Sequence, residues 1–184
     1  MSGSPASHAK PAGSNSQNPI IRLIAFLSLI CGVVAAFMIV IAVAITCQMI
    51  WIRFVMNQST IWQTEAVVYL MIGATMIGLP YVQRLRGHVN VDLLPLMLPP
   101  LLRRLLAIVT LGLALLIIGV MAFYGFEMWH LAWERGWTSD TVWAVSLWIP
   151  YLALPIGFGL YFLQLAADLF AVLTGDEKPF GIED

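Results

Sequence analysis

Charge is what this sequence lacks most. Only 10% of its 184 residues are Asp, Glu, Lys or Arg, against roughly 25% in ordinary soluble domains. Hydrophobic residues supply 60%, a balance that points to a membrane protein. Nine basic residues face ten acidic ones, for a formal charge of −1. No basic surplus exists that would serve nucleic acid, and no nucleic-acid partner is expected. Cysteine is nearly absent too. Cys31 and Cys47 stand 16 positions apart in one apolar run, roughly 24 Å along a helix, too far to form a disulfide with each other. They read as small buried hydrophobes. Also missing are paired cysteines, a metal-spaced His/Asp cluster, a glycine-rich phosphate loop and a nucleophile elbow. The expectation is therefore no enzyme, no metal and no cofactor.

What is present is a set of long apolar windows. A helix needs about 20 apolar residues to cross a bilayer. Four windows free of Asp, Glu, Lys and Arg meet or approach that length: Leu23–Ile52, Ala66–Gln83, Leu105–Phe126 and Thr141–Ala167. The first is 30 residues long, so it must tilt or project. It is also too long for a signal-peptide core and has no convincing cleavage site, so it reads as a retained span. The fourth contains Pro150, Pro155, Gly157 and Gly159, a composition that predicts a kink or break. The fold class expected is an all-α membrane protein of four transmembrane helices. Residues 1–19, rich in Ser, Gly, Pro, Ala and Asn, read as a disordered cytoplasmic tail. Residues 20–174 form the four-helix membrane domain, and 175–184 a cytoplasmic C-terminal tail.

An even number of spans puts both termini on one side. That side holds Lys10, Arg22, Arg84, Arg86, Arg103, Arg104 and Lys178, seven basic residues against Arg53 and Arg135 opposite. The bias predicts that both termini are cytoplasmic. All seven tryptophans fall on or near the opposite connections. Their bland reading is interfacial anchoring; the sharper one is contact with a partner on the outer face.

Intramembrane charge usually marks a substrate or ion path, and no window has an ionisable group near its centre. Glu65, Glu127 and Asp168 all sit at span ends. No convincing inverted repeat joins the two hairpins. A free-standing small carrier is thus poorly supported. A respiratory membrane anchor with haem needs paired axial histidines. His88 and His130 should lie on opposite sides of the membrane, so they cannot share one haem. Gly32 with Ala36, and Ala74 with Gly78, are small-residue pairs suited to close helix packing, within the unit or with another chain.

One stretch is more specific. Arg53-Phe54 is followed by Trp62, then Glu65 and Tyr69, then a glycine-containing span. After that come Gly87-His88-Val89 and Val91-Asp92-Leu93. Over residues 53–94 this order resembles the small membrane subunit of tripartite ATP-independent periplasmic (TRAP) transporters, the DctQ-like small permease family. The resemblance implies a bacterial or archaeal inner-membrane location and import of an organic acid, such as a dicarboxylate, driven by an ion gradient, commonly Na⁺. It also implies two partners: a large permease subunit that carries the ion and substrate sites, and a periplasmic substrate-binding protein. The small subunit would support the large one within the bilayer.

Structural, partner-contact or lipid-contact roles are expected at Arg53, Glu65, Arg84, Arg86, His88, Asp92, Arg103 and Arg104. Asp92 can cap a short interfacial helix over Leu93–Leu98, between the second and third spans. Gly87 permits the turn that leads there, and Pro100 can open the third span. The arginines around this elbow are topology anchors or phosphate ligands for membrane lipids. His88 is solvated or backbone-bonded, or else pairs with Asp92 or another subunit. Glu65 either favours the start of the second helix or forms a salt bridge across the subunit interface, with Arg53 as a candidate. Substrate-binding residues are expected in the partners rather than here.

The basic-residue bias yields a direct test of orientation. In a Cys31→Ala, Cys47→Ala background, Ser139→Cys should react with an impermeant thiol reagent in intact cells. Asn90→Cys should react only after lysis. The reverse labelling pattern would refute the assigned orientation.

Overall fold

The computed structural model describes residues 19–85 and 99–174. Five helices account for most of them: α1 (Pro19–Phe54), α2 (Trp62–Arg84), α3 (Pro100–Glu134), α4 (Trp148–Tyr151) and α5 (Ala153–Thr174). Four segments are long and apolar enough to cross a membrane, with α4 and α5 together forming the fourth, Trp148–Thr174. The expected all-α, four-span class holds. The expected interfacial helix, with Arg86, His88 and Asp92, lies outside the described residues, as do the two tails.

The helices extend well past the apolar windows. At 1.5 Å per residue, the 36 residues of α1 and 35 of α3 each span roughly 50 Å. The hydrocarbon layer is about 30 Å thick, so both helices must tilt or project. The fourth span is shorter at its start than its charge-free window suggests. Residues 141–147 are not helical, and the helix begins at Trp148. It is then interrupted at Leu152. Pro155 has no N–H to give the Tyr151 carbonyl, which accounts for the weakness of the ladder there.

Neighbour relations run α1–α2–α5–α3, with a lighter contact between α1 and α5. Sequence explains the order. Helix α1 buries one narrow stripe, Ile21, Ala25, Ser28, Cys31, Ala35 and Ala42, spaced as one helical face. Helix α5 buries two stripes. Gly157, Gln164, Ala167 and Ala171 form one, and Phe158, Leu165 and Val172 form the other. A helix with two buried stripes belongs between neighbours, whereas a helix with one belongs at an edge. Accordingly, 39% of the most apolar window of Trp148–Thr174 is buried, against 6% for that of α3. The large apolar side chains of the edge helices, such as Phe37, Val40, Leu113, Leu116 and Phe123, face outward, as lipid or a protein partner would require.

Glycines set the closest approaches. Gly157 of α5 lies against the Met76 backbone of α2, where an added Cβ would sit 2.6 Å from the carbonyl oxygen. Gly125 of α3 receives Leu154 and Phe158, and Gly119 receives Phe162. Gly32 accommodates the Tyr81 ring, and Gly78 faces Ala35. The small-residue pairs expected from sequence are thus used within this unit, except that Ala36 is exposed and Ala35 makes the contact.

Helix α3 ends in a Schellman motif. Gly136 takes φ +58°, and the Trp137 and Gly136 N–H groups reach the Ala132 and Trp133 carbonyls at 3.1 and 3.3 Å, satisfying orphan acceptors of the last turn. The chain then forms a small clasp. Ser139 N–H donates to the Val145 carbonyl and Leu147 N–H to the Trp137 carbonyl, both at 2.8 Å.

The glycine contacts predict opposite outcomes at two neighbouring positions. Gly157→Ala should lower stability by about 1–3 kcal/mol, because a backbone carbonyl cannot step aside as a side chain does. Gly159→Ala, with nothing within 4 Å of the added Cβ, should be neutral or gain up to about 1 kcal/mol of helix propensity. Unfolding in mixed micelles, followed by tryptophan fluorescence, measures both; equal effects would refute the close α2–α5 crossing.

Candidate functional site: a polar cluster joining three spans

Polar side chains inside a membrane protein must find partners in the protein, since the hydrocarbon offers none. Near the end of the bundle that holds Pro19 and Thr174, five helical side chains do so across three helices. Ser28 Oγ of α1 donates to Gln164 Oε1 of α5 at 2.7 Å. Gln164 Nε2 donates to Asp168 Oδ1 at 2.9 Å. Gln83 Nε2 of α2 donates to the other oxygen, Asp168 Oδ2, at 3.0 Å. Tyr161 O–H reaches Gln83 Oε1 at a long 3.5 Å. Ser28 and Gln164 are each only 2% exposed. The two amides therefore act in relay: each presents its oxygen to a hydroxyl and its nitrogen to the carboxylate. Asp168 was legible from the sequence as a span-end residue, whereas Ser28, Gln83 and Gln164 were not. The available signal was the pair Gln164 and Asp168, four apart on one face of a greasy helix, where polar residues serve as interhelical glue.

Arg104 ties the edge helix α3 to the same end. Its guanidinium donates to the Leu173 carbonyl at 2.9 Å and the Val172 carbonyl at 3.4 Å. The last carbonyls of α5 have no intrahelical donors and carry the negative end of the helix dipole, so a cation is well placed there. Arg103 lies half-buried in the first turn of α3. Arg84, at the last residue of α2, is half-buried, with its Nε buried and without a hydrogen-bond partner among the described residues.

The opposite end is organised by Glu65. One carboxylate oxygen accepts from Tyr69 one turn on, and the other from Thr141 of the clasp. Glu65 thereby fastens the 138–146 clasp to the first turn of α2. Arg53 does not meet it; Arg53 Nε donates to Thr60 Oγ1 at 2.7 Å, inside the α1–α2 connection. Aromatic rings fill the surroundings. Trp62 and Trp143 stand 6.0 Å apart, and Trp133 meets Trp148 edge-on at 4.7 Å. His130 is exposed and stacks on Phe126 at 6.1 Å. Among the described residues no group of three or more His, Cys, Asp or Glu side chains converges as a metal site would.

These features define a class: a four-span helical membrane protein whose buried polar groups bond one another between helices. Comparison with known sequences makes the class specific. A family model described as "Tripartite ATP-independent periplasmic transporters, DctQ component" matches residues 42–175. The chain belongs to this family and is a transporter component rather than an enzyme. It is also similar to the C4-dicarboxylate TRAP transporter small permease protein DctQ of Vibrio cholerae serotype O1, with 26% identity over 147 residues. That alignment covers 67% of this chain and 62% of the relative, so the chain spans less than two thirds of that protein's length.

Proposed function

We propose that this chain is the small permease subunit of a TRAP transporter that imports an organic acid, with C4-dicarboxylates as the first class to test. The C4-dicarboxylate in the name of the Vibrio cholerae relative motivates the substrate class. The transporter is driven by an ion gradient, with Na⁺ the expected ion. The chain lies in the inner membrane of a bacterium or archaeon with both termini cytoplasmic. Its partners are a large permease subunit and a periplasmic substrate-binding protein, and its own task is to support the large subunit as a membrane scaffold.

One observation carries the scaffold reading. The polar cluster where α1, α2 and α5 meet is occupied with itself: Asp168 takes amide donors from Gln83 and Gln164, and Gln164 takes Ser28. A path for a dicarboxylate needs cationic or N–H groups aimed into a polar cavity. Here the large cavity between the helices is lined almost wholly by apolar side chains. A unit held together by polar bonds between its helices, with apolar edge helices, suits a support better than a conduit. The arginines at the elbow then act as membrane anchors and lipid contacts, Arg84 being the strongest candidate for an external acceptor.

Reconstitution separates the readings. In proteoliposomes carrying an inward Na⁺ gradient, this chain alone should move no succinate or malate. With its large subunit and binding protein present, uptake should appear and should collapse when the gradient is dissipated. Uptake by the chain alone would refute the accessory role.

A further inference from the structure

We infer that the cavity between α2 and the α4–α5 segment is a binding site for one membrane phospholipid whose headgroup carries a primary ammonium. The cavity measures about 550 Å³, within the ~300–1,000 Å³ typical of a small-ligand site. Its walls include Ala66, Leu70, Gly73 and Ile77 of α2, with Ile149 of α4 and Ile156 of α5. From Ala66 to Ile77 it follows α2 for roughly 16 Å. That is about half of a 30 Å hydrocarbon layer, the depth of one leaflet. An apolar slot of that length, starting at the first turns of a spanning helix, fits an acyl chain.

The headgroup assignment comes from the groups at the cavity's mouth. Tyr69 lines the cavity and donates to Glu65. Trp143 lines it too and stands beside Trp62. Glu65 has no ion-pair partner among the described residues; its bonds are to the hydroxyls of Tyr69 and Thr141, and the Ser139 hydroxyl beside it also helps to hold its carboxyl below the usual range. An ionised carboxylate offers about four acceptor positions, so room remains for donors from outside. A carboxylate bonded to a residue that lines an apolar slot calls for a cationic donor attached to a hydrocarbon chain. A primary ammonium has three N–H donors to offer, whereas a trimethylammonium has none.

The test uses the full chain in lipid nanodiscs holding equal amounts of phosphatidylethanolamine, phosphatidylcholine and phosphatidylglycerol with matched acyl chains. Lipid retained after release is quantified by native mass spectrometry. Phosphatidylethanolamine should be retained about ten-fold over phosphatidylcholine, as one charge-assisted hydrogen bond allows. Glu65→Gln keeps an acceptor for Tyr69 and Thr141 but removes the charge; it should erase that preference while lipid is still retained. Ala153→Phe, which fills the slot, should lose all retained lipid. As a check that does not depend on that variant folding, phosphatidylethanolamine with a photoactivatable acyl chain should cross-link wild-type protein at Leu70 or Ile156. Equal retention of the three lipids by wild type would overturn the proposal, as would cross-links only outside the cavity. So would an Ala153→Phe chain that keeps its lipid but no longer co-purifies with the large subunit, since the cavity would then seat a partner's side chains.

Discussion

Polar side chains between membrane helices must find partners in the protein, and here a half-buried carboxylate meets two amides, one half-buried and one buried. Asp168, Gln83 and Gln164, with Ser28 behind them, satisfy that constraint only when α1, α2 and α5 hold one rotation and one register. Sliding α5 by one residue would part the buried Gln164 amide from its partner on α1 and Asp168 from its partner on α2, and a buried polar group left without a partner costs about 1–3 kcal/mol. Apolar packing alone does not discriminate so sharply, because lipid tails solvate leucine as well as a neighbouring helix does. The cluster therefore fixes which faces meet, and the glycines then set how closely. Gly157 against the Met76 backbone and Gly32 against Tyr81 become possible once that register is chosen.

Helix α3 joins this unit differently. It packs on α5 through Gly119 and Gly125, and Arg104 binds the open carbonyls at the end of α5. Its remaining surface is apolar and exposed. The result is a core of three cross-linked helices with a long, greasy edge helix beside it. The proposed scaffold role draws on this combination of internal rigidity and an outward apolar face. At the far end, Glu65 binds the clasp and leaves acceptor capacity for an incoming cationic group.

Much of this was legible in the residues. The four spans follow from charge-free windows, and the interruption of the fourth from Pro150 and Pro155. The family was visible in the ordered residues from Arg53 to Leu93. Other features were not legible, for identifiable reasons. Hydropathy windows average over Ser28 and Gln164, so two polar residues vanish into strongly apolar runs. Their meeting also depends on a contact between residues 136 positions apart, which no local pattern encodes. Arg104 read as a membrane anchor because its acceptors, the end carbonyls of α5, belong to a distant helix. A salt bridge with Arg53 as a candidate was one of two readings of Glu65, yet nearby hydroxyls of Thr60, Tyr69 and Thr141 take the two side chains instead. The 141–147 stretch lacks charge and so passed for helix, while backbone bonds fold it into the clasp.

The most direct test of the polar cluster as the element that sets helix register is a double-mutant cycle between Ser28→Ala and Gln164→Leu. Stability is measured by reversible unfolding in mixed micelles. Interhelical hydrogen bonds in membrane proteins couple by about 0.6–1.7 kcal/mol, and this pair, almost wholly buried, should fall in the upper part of that range. Additive effects of the two substitutions, with no coupling, would contradict it.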